Sequence, residues 1–218
     1  MDIEIIPAIL VNDREDLIRR INLVKPYVKT VQIDVMDGKF VPNTTIFDFS
    51  NLPFGIKYEF HWMVENPIDY IKKVSGPHIH IVHIEAINNS KEIDKINKFV
   101  GGKLGLAFNP GTKLDQVLPY LGKVSLFLAM TVNPGFSNQS YIPDVERKIR
   151  ALRKLAPDVD IEVDGGINQQ TIERAAESGA NKFGAASAIF AQSNVKKAID
   201  DLKKLASEAY NRGSMRER

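Results

Sequence analysis

The chain has 218 residues, a formal net charge of +2 and no cysteine. This length suits one domain of moderate size, the small charge gives no sign of a nucleic-acid or membrane surface, and the missing cysteines exclude disulfides and thiolate metal sites. A chain without cysteines suits the reducing cytosol, there is no run of about 18 apolar residues, and the N-terminus has a strand pattern rather than that of a signal peptide, so we expect a cytoplasmic protein.

Eight short segments rich in apolar and β-branched residues are predicted to be strands. They are residues 3–10, 30–36, 57–63, 78–84, 103–108, 125–130, 160–164 and 182–186. Apolar residues spaced by three and four predict helices over 14–24, 91–100, 144–155, 170–178 and 195–210, with shorter helices over 67–74 and 114–121. Residues 44–54 show no clear helix, and the polar, basic residues 211–218 are predicted to form a C-terminal tail.

Strand and helix patterns alternate through the chain without a linker. Such repeats predict parallel strands with helical crossovers, and eight of them fit an α/β fold of the (β/α)₈ TIM barrel type, formed by residues 1–210 as one domain. An open, doubly wound sheet is the alternative. It is less favoured because no strand is followed by the GxGxxG turn of that fold.

Polar and glycine-bearing residues gather where the predicted strands end. They are Ala8–Leu10, Asp34–Asp37, His61–Met63, His83–Glu85, Asn109–Gly111, Asn133–Phe136, Asp164–Gly166 and Ala186–Ser187. Because active sites of such barrels lie at the carboxyl ends of the strands, this end is the predicted site.

Strand parity indicates which of these side chains point into the barrel. In VQIDVM, the β-branched face formed by Val31, Ile33 and Val35 must meet the helices, so the other face points inward. The same reasoning applies to the third and seventh strands. The inward side chains are Gln32, Asp34 and Met36, then Glu59, His61 and Met63, and then Glu162 and Asp164.

Asp34, His61 and Asp164 are therefore predicted to converge at the barrel mouth. Buried carboxylates must be paired, hydrogen-bonded or bound to a metal, so one interpretation is that the aspartates only satisfy loop amides. Two others carry chemistry: two carboxylates and an imidazole can bind a divalent cation, or two facing carboxylates can act as an acid/base pair across a flat intermediate.

Three glycine-bearing or small-residue loops suggest a phosphorylated substrate. NPGFSNQ (133–139), DGGI (164–167) and AASAIF (185–190) follow the sixth, seventh and eighth strands. Backbone amides in such loops form nests for phosphate, and the last two loops are the usual phosphate site of these barrels. Plain turn chemistry is the alternative for each loop taken alone.

The motifs that carry a family resemblance run from the first strand to the eighth. They are IIPAIL, QIDVMDGKFVPN, FHWMVENP, VHIEA, GLAFNP, MTVNPGF, IEVDGGIN and SAIF. In this order they resemble the ribulose-phosphate 3-epimerase family, whose barrel is of the ribulose-phosphate-binding type. The resemblance implies a metal-dependent isomerase of the pentose phosphate pathway that interconverts D-ribulose 5-phosphate and D-xylulose 5-phosphate. It implies a phosphorylated ketose as the substrate. A homo-oligomer is a further expectation, and the small net charge gives no reason to expect a nucleic-acid or membrane partner.

The resemblance also implies roles for single residues. Asp34 would be metal ligand and general base, Asp164 ligand and general acid, and His61 the third protein ligand, with Gln32 at the fourth ligand position. The cation would be zinc or a harder ion such as manganese, magnesium or iron, and a site without metal is the alternative. Met36, Met63 and Met130 would line the reacting carbon. The remaining substrate contacts would come from Ala8, His61, Gly135, Phe136, Ser137, Asn138, Gly165, Gly166, Ala186 and Ser187.

Four positions depart from the family pattern. Gln32 replaces a metal-binding histidine, Ala8 replaces a serine that hydrogen-bonds the substrate, Asn138 replaces a glycine of the phosphate loop, and Ala186 replaces another glycine. Gln32 matters most, because an amide oxygen is a neutral and weaker ligand for zinc than an imidazole. Two other functions therefore stay open: a non-catalytic relative that binds a phosphosugar, and another phosphosugar enzyme on the same barrel, such as a 3-epimerase of a ketohexose 6-phosphate.

Overall fold

Eight parallel strands form a closed barrel in the computed structural model, which describes residues 1–101, 103–136 and 139–216. Each strand pairs with the next, and the eighth pairs with the first. The strands are β1 (Glu4–Ile9), β2 (Thr30–Met36), β3 (Lys57–Met63), β4 (Ile79–His83), β5 (Leu104–Phe108), β6 (Leu126–Met130), β7 (Asp160–Asp164) and β8 (Lys182–Ala185). The predicted (β/α)₈ barrel is confirmed, and the alternative of an open sheet is wrong.

Helices follow most strands. They are α1 (Arg14–Val24), α2 (Pro67–Ile71), α3 (Ser90–Phe99), α4 (Leu114–Val117), α5 (Val145–Leu155), α6 (Gln169–Glu177), α7 (Ser187–Phe190) and α8 (Val195–Arg216). Residues 44–54, all of them described, contain no helix. The sequence did not predict α7, because four residues are too few to show a helical period. Of the helices that the structure describes, none has both the length and the apolarity needed to span a bilayer.

Helix α8 extends six residues past its predicted end at Tyr210. Residues 211–216, which were predicted to belong to a C-terminal tail, are therefore part of this helix. Two contacts with α6 explain the extension. Arg212 donates to the carboxylates of Glu173 at 2.7 Å and Glu177 at 2.9 Å. A Cβ on Gly213 would lie 2.5 Å from the backbone oxygen of Glu177, so this glycine lets the two helices approach closely. Residues 217 and 218 lie outside the described part of the chain.

The register of the strands arranges the inward side chains in layers. Between β2 and β3 the paired residues are Gln32 with Glu59, Asp34 with His61, and Met36 with Met63. Across the barrel, Met130 of β6 pairs with Asp164 of β7. The methionines and the two aspartates thus lie towards the carboxyl end of the barrel, with the glutamate and glutamine layer beneath them.

The outward faces of the strands form the main apolar core. Phe60 and Trp62 of β3 are fully buried, and their rings stack with centroids 5.5 Å apart. Burial of large side chains on this face stabilises the fold by about 1.5–3 kcal/mol for each one. Because Phe60 and Trp62 point outward, their neighbours Glu59, His61 and Met63 point inward, as predicted.

Candidate active site

A cavity of about 380 Å³ opens at the carboxyl ends of the strands. Its lining includes most of the residues predicted to bind substrate or catalyse: Ala8, Asp34, Met36, Met63, Met130, Gly135, Phe136, Asp164, Gly165, Gly166, Ala186 and Ser187. It also includes residues for which no individual role was predicted: Leu10, Val132, Pro134, Gln139, Ser140, Tyr141, Ile167, Asn168 and Gly184. Some of these, such as Tyr141 and Asn168, lie just beyond the predicted phosphate loops. Nothing in the sequence indicated that their side chains would reach the cavity. Ser137 and Asn138 lie outside the described residues.

Four polar side chains form a closed ring at the floor of this cavity. The Gln32 amide donates from Nε2 to Asp34 Oδ1 at 2.7 Å and to Asp164 Oδ2 at 2.8 Å. On the other side of the ring, His61 Nδ1 lies 3.1 Å from Asp34 Oδ1 and 3.4 Å from Asp164 Oδ2. Gln32 and His61 are fully buried, whereas both aspartates also line the cavity. The predicted convergence of Asp34, His61 and Asp164 is therefore observed.

Burial and charge oppose each other at these groups. Burial alone would lower the pKa of His61, but hydrogen bonds and Coulombic attraction from Asp164 and Asp34 raise it to about 9. Burial raises the pKa of Asp34, and the negative charge of Asp164 adds to the rise, while hydrogen bonds from His61 and Gln32 oppose it. With a pKa of about 9, His61 is protonated at neutral pH when no cation is bound, and its positive charge balances part of the negative charge of the ring.

The same ring has the dimensions of a cation site. Asp34, His61 and Asp164 each offer one ligand atom, and these atoms lie within 4.8 Å of one another. Metal bonds of about 2.0–2.2 Å place neighbouring ligand atoms roughly 2.8–3.6 Å apart for bond angles between about 90° and 109°, and the separations of 3.1 and 3.4 Å from His61 to the two aspartates lie in this range. Two carboxylates and an imidazole thus fit a divalent cation.

Gln32 faces this position with its amide. In the present orientation Nε2 donates to both carboxylates, and the buried Oε1 has no hydrogen-bond partner among the described residues. A half-turn of the amide would exchange the two atoms and present Oε1 as a fourth ligand. The side chain can therefore either replace a cation by hydrogen bonds or contribute to holding one.

Ala8 is the direct register partner of Gln32 on the neighbouring strand. It is 2% exposed and lines the cavity. Two of the four departures from the family pattern are thus adjacent, and together they change one side of the ring.

Three loops meet at another side of the cavity. Gly135, Gly165 and Gly166 have φ values of +122°, +114° and +65°, which side chains rarely allow. At Gly166 a Cβ would lie 2.8 Å from the backbone nitrogen of Tyr141. Ala186 has φ of −108°, so its backbone does not require the glycine of the family pattern.

A second polar chain, with no predicted role, leads away from the ring. His83 Nε2 lies 2.8 Å from His61 Nε2, and His83 Nδ1 lies 3.2 Å from Glu85 Oε2. Both residues lie at the end of the fourth predicted strand, where polar residues gather. The parity that places Ile81 inward also places His83 inward, but the contact with His61 depends on the register between β3 and β4.

A buried acidic pair lies one layer below the ring. Glu59 and Glu162 are fully buried, burial and the charge of Glu59 raise the pKa of Glu162, and the four oxygens of the two carboxyl groups have no hydrogen-bond partner among the described residues. Burial is the main reason that the pKa of Glu59 rises to about 7, although the nearby Lys182 opposes the rise. These groups lie below the cavity rather than in its lining.

Comparison with known proteins gives a consistent picture at the level of sequence. Residues 4–190 match the model of the ribulose-phosphate 3-epimerase family. The cytoplasmic isoform of ribulose-phosphate 3-epimerase from Oryza sativa subsp. japonica is 36% identical, with 96% of both chains covered. Ribulose-phosphate 3-epimerases from Methanocaldococcus jannaschii and Bacillus subtilis are 38% and 36% identical over 83% and 92% of this chain, and over 80% and 98% of their own.

Solved structures show likeness of fold. A thiamine phosphate pyrophosphorylase from Pyrococcus furiosus superposes with a TM-score of 0.63 at 13% identity, covering 95% of this chain and 96% of its own. A 3-hexulose-6-phosphate synthase superposes with a TM-score of 0.66 at 14% identity, covering 93% and 99%. At such low identity the likeness concerns the barrel alone.

Proposed function

The chain belongs to the ribulose-phosphate 3-epimerase family, and we propose that it interconverts D-ribulose 5-phosphate and D-xylulose 5-phosphate. One observation carries the proposal beyond the family relationship: Asp34 and Asp164 both line the cavity and are joined at its floor by one amide group. Binding a sugar phosphate does not require two such carboxyl groups, whereas two acid/base groups that face one intermediate can invert a carbon centre. The rice relative is named a cytoplasmic isoform, and we infer the same compartment for this chain.

Asp34 and Asp164 perform the proton transfers. The proton that leaves the substrate is on C3, next to the ketone, so its removal gives a flat enediolate. One aspartate, as carboxylate, takes this proton from one face. The other, as carboxylic acid, returns its own proton to the opposite face and inverts the configuration. In the reverse direction the two roles are exchanged, and the raised pKa of Asp34 suits a group that must carry a proton for part of the cycle.

Negative charge develops on the two oxygens of the enediolate. A divalent cation held by Asp34, His61 and Asp164 would stabilise that charge as a Lewis acid. Gln32 supports the same ring: its Nε2 donates to both aspartates, and its Oε1 could serve as a further ligand. We propose zinc or a harder cation such as manganese, magnesium or iron for this position.

Three methionines form the apolar wall around the reacting carbon. Met36, Met63 and Met130 are 1%, 2% and 3% exposed, yet all line the cavity. Their thioether side chains are polarizable and lack hydrogens that exchange with solvent. They would therefore keep water from the intermediate.

The phosphate of the substrate would lie at the glycine-bearing side of the cavity. Gly135, Gly165 and Gly166 bring backbone close to the cavity without side chains in the way, and Ala186 and Ser187 lie at the start of α7. Backbone N–H groups in such loops bind anions without a basic side chain. We propose that this arrangement selects phosphorylated over free ketoses.

Incubation of the purified protein with D-ribulose 5-phosphate, with and without added zinc, manganese, magnesium or iron, tests the proposal. We expect D-xylulose 5-phosphate to form until the two are near equilibrium. D-fructose 6-phosphate serves as the hexose control and should react far more slowly. Binding of ribulose 5-phosphate without conversion under every metal condition would mean a non-catalytic binder, and faster conversion of the hexose phosphate would mean a ketohexose enzyme.

A further inference from the structure

His61 has two ring nitrogens with different neighbours. Its Nδ1 faces the carboxyl groups of Asp34 and Asp164, and its Nε2 lies 2.8 Å from Nε2 of His83. Both histidine rings are fully buried, and they stack with an interplanar angle of 19° and centroids 5.0 Å apart. Two ring nitrogens at this distance must share one proton, since two bare nitrogens would repel each other and two protonated ones would clash. The other contacts of His83 decide which nitrogen carries it.

Glu85 fixes the proton of His83. Its carboxylate accepts from the backbone N–H of Asn109 at 2.8 Å and from the hydroxyl of Thr112, and Oε2 lies 3.2 Å from Nδ1 of His83. Although burial alone would raise the pKa of Glu85, its hydrogen bonds with His83, Asn109 and Thr112 lower it, so the group acts as an acceptor. His83 must then carry its proton on Nδ1. In the neutral ring this leaves Nε2 bare, and it accepts from His61.

We propose that His83 and Glu85 are positioning residues, which fix a proton on Nε2 of His61 and keep its Nδ1 directed at the two carboxyl groups. Rotation of the His61 ring away from this orientation would break its 2.8 Å contact with His83. The ring of Phe40, from the loop after β2, packs against His83 with centroids 4.9 Å apart and restricts its movement.

This inference rests on the proposed function, because His61 serves the reaction only as a neighbour of those carboxyl groups. When a residue that hydrogen-bonds a metal-binding histidine is removed, metal affinity or activity typically falls about 10–100-fold. His83 and Glu85 are thus expected to affect turnover although neither lines the cavity.

The first test reads the proton directly. The chain has four histidines, so the ¹⁵N-histidine NMR spectrum of the metal-free protein can be assigned with three single substitutions, at His78, His80 and His83. We expect His83 to be neutral with Nδ1 protonated and Nε2 bare at pH 7. A proton on Nε2 of His83 would overturn the inference. This measurement needs no activity, so its outcome separates failure of this inference from failure of the proposed epimerase function.

The second test separates hydrogen bonding from packing. In His83→Gln, the amide can still donate to Glu85 and accept from His61, so kcat should stay within about threefold of the natural protein. In His83→Leu the volume is filled without either hydrogen bond, and kcat should fall about 10–100-fold with little change in KM. A merely structural role predicts the reverse order, because leucine is the better buried packing residue; equal or higher kcat in the leucine variant would overturn the inference.

His80 provides the matched control on the same strand. It is buried on the opposite face of β4, where its Nδ1 accepts from the Trp62 indole at 3.1 Å. His80→Gln and His80→Leu should lower the melting temperature without changing kcat beyond about twofold. If His80→Leu reduced kcat as much as His83→Leu, the loss would reflect damage to the strand rather than to the orientation of His61.

Discussion

The amide nitrogen of Gln32 lies 2.8 Å from Oδ2 of Asp164, which links strand β2 to strand β7 across the floor of the cavity. The same nitrogen donates to Asp34, so one neutral side chain connects both groups to which the proton transfers are assigned. It does so from the position where the family pattern has a metal-binding histidine. If the proposed cation site is used, we expect Gln32 to affect the strength of cation binding more than the other three differences from the family pattern do.

Gln32→His should tighten zinc binding. An imidazole is a better zinc ligand than an amide oxygen, and the substitution completes a set of two carboxylates and two imidazoles. Loss of a residue that hydrogen-bonds a metal ligand already alters metal affinity about 10–100-fold, so a change of the ligand itself should alter it at least as much. Competition with a chromophoric chelator measures the Kd. An unchanged Kd in a variant that is folded and active would show that Gln32 does not face the cation.

Chelators test the same point in the natural protein. If a cation supports the reaction, dialysis against a chelator should abolish epimerisation, and adding the metal back should restore it. Metal analysis of protein purified without chelator should find close to one equivalent. Full activity with less than about a tenth of an equivalent would mean that the Gln32 amide and His61 stabilise the intermediate by hydrogen bonds instead.

The buried pair Glu59 and Glu162 predicts a pH-dependent gain in stability for Glu59→Gln. The pKa of Glu59 is raised from 4.5 to about 7, so its contribution to stability is fully present below about pH 4.5 and is lost as pH rises through 7. Above pH 7 the folded protein holds a buried carboxylate beside another acid, which glutamine avoids. The free energy of unfolding of the variant, minus that of the natural protein, should therefore be about 1–3 kcal/mol more favourable to the variant at pH 8 than at pH 5.

Denaturant unfolding of metal-free protein at several pH values between 5 and 8 measures this gain. Glu208→Gln, at an exposed position on α8, is the control and should show no such trend. A difference between natural protein and Glu59→Gln that stays constant over this range would contradict the assigned pKa shift.

Substitutions at Gly166 and Ala186 should affect substrate binding to different extents. Gly166→Ala places a methyl group 2.8 Å from the backbone nitrogen of Tyr141 at a φ of +65°, so the loop must shift. We expect KM for ribulose 5-phosphate to rise about tenfold, equivalent to about 1.4 kcal/mol of binding. Ala186→Gly restores the family residue at a φ of −108° and should change KM less than about threefold. Inhibition by inorganic phosphate should follow the same order; a larger effect at Ala186 would place the phosphate differently.

Much of the fold could be predicted from the sequence because the period of a strand is two. Once Val31, Ile33 and Val35 are assigned to the helices, Asp34 must point inward, and the order of the strands brings it towards Asp164. The closed barrel follows from eight repeats in this length. Helix ends were less predictable: α8 continues because Arg212 finds partners on α6, and a polar stretch gives no sign of such contacts.

The contacts around the ring could not be predicted in the same way. Parity places Gln32 and Asp34 on one face, but it does not show that one amide would reach carboxyl groups on two strands. The contact between His61 and His83 depends on the relative register of β3 and β4 and on side-chain rotamers. A sequence can therefore show which groups share an end of the barrel, whereas the structure is needed to show which of them form hydrogen bonds with one another.

The proton transfer itself gives the most direct test of the two-carboxylate account. In ²H₂O, the natural protein should incorporate deuterium at C3 of ribulose 5-phosphate and xylulose 5-phosphate. Asp34→Asn and Asp164→Asn should each keep the fold, checked by circular dichroism, and lower the exchange rate about 10²–10⁴-fold or more. Near-normal C3 exchange in either folded variant would contradict the account.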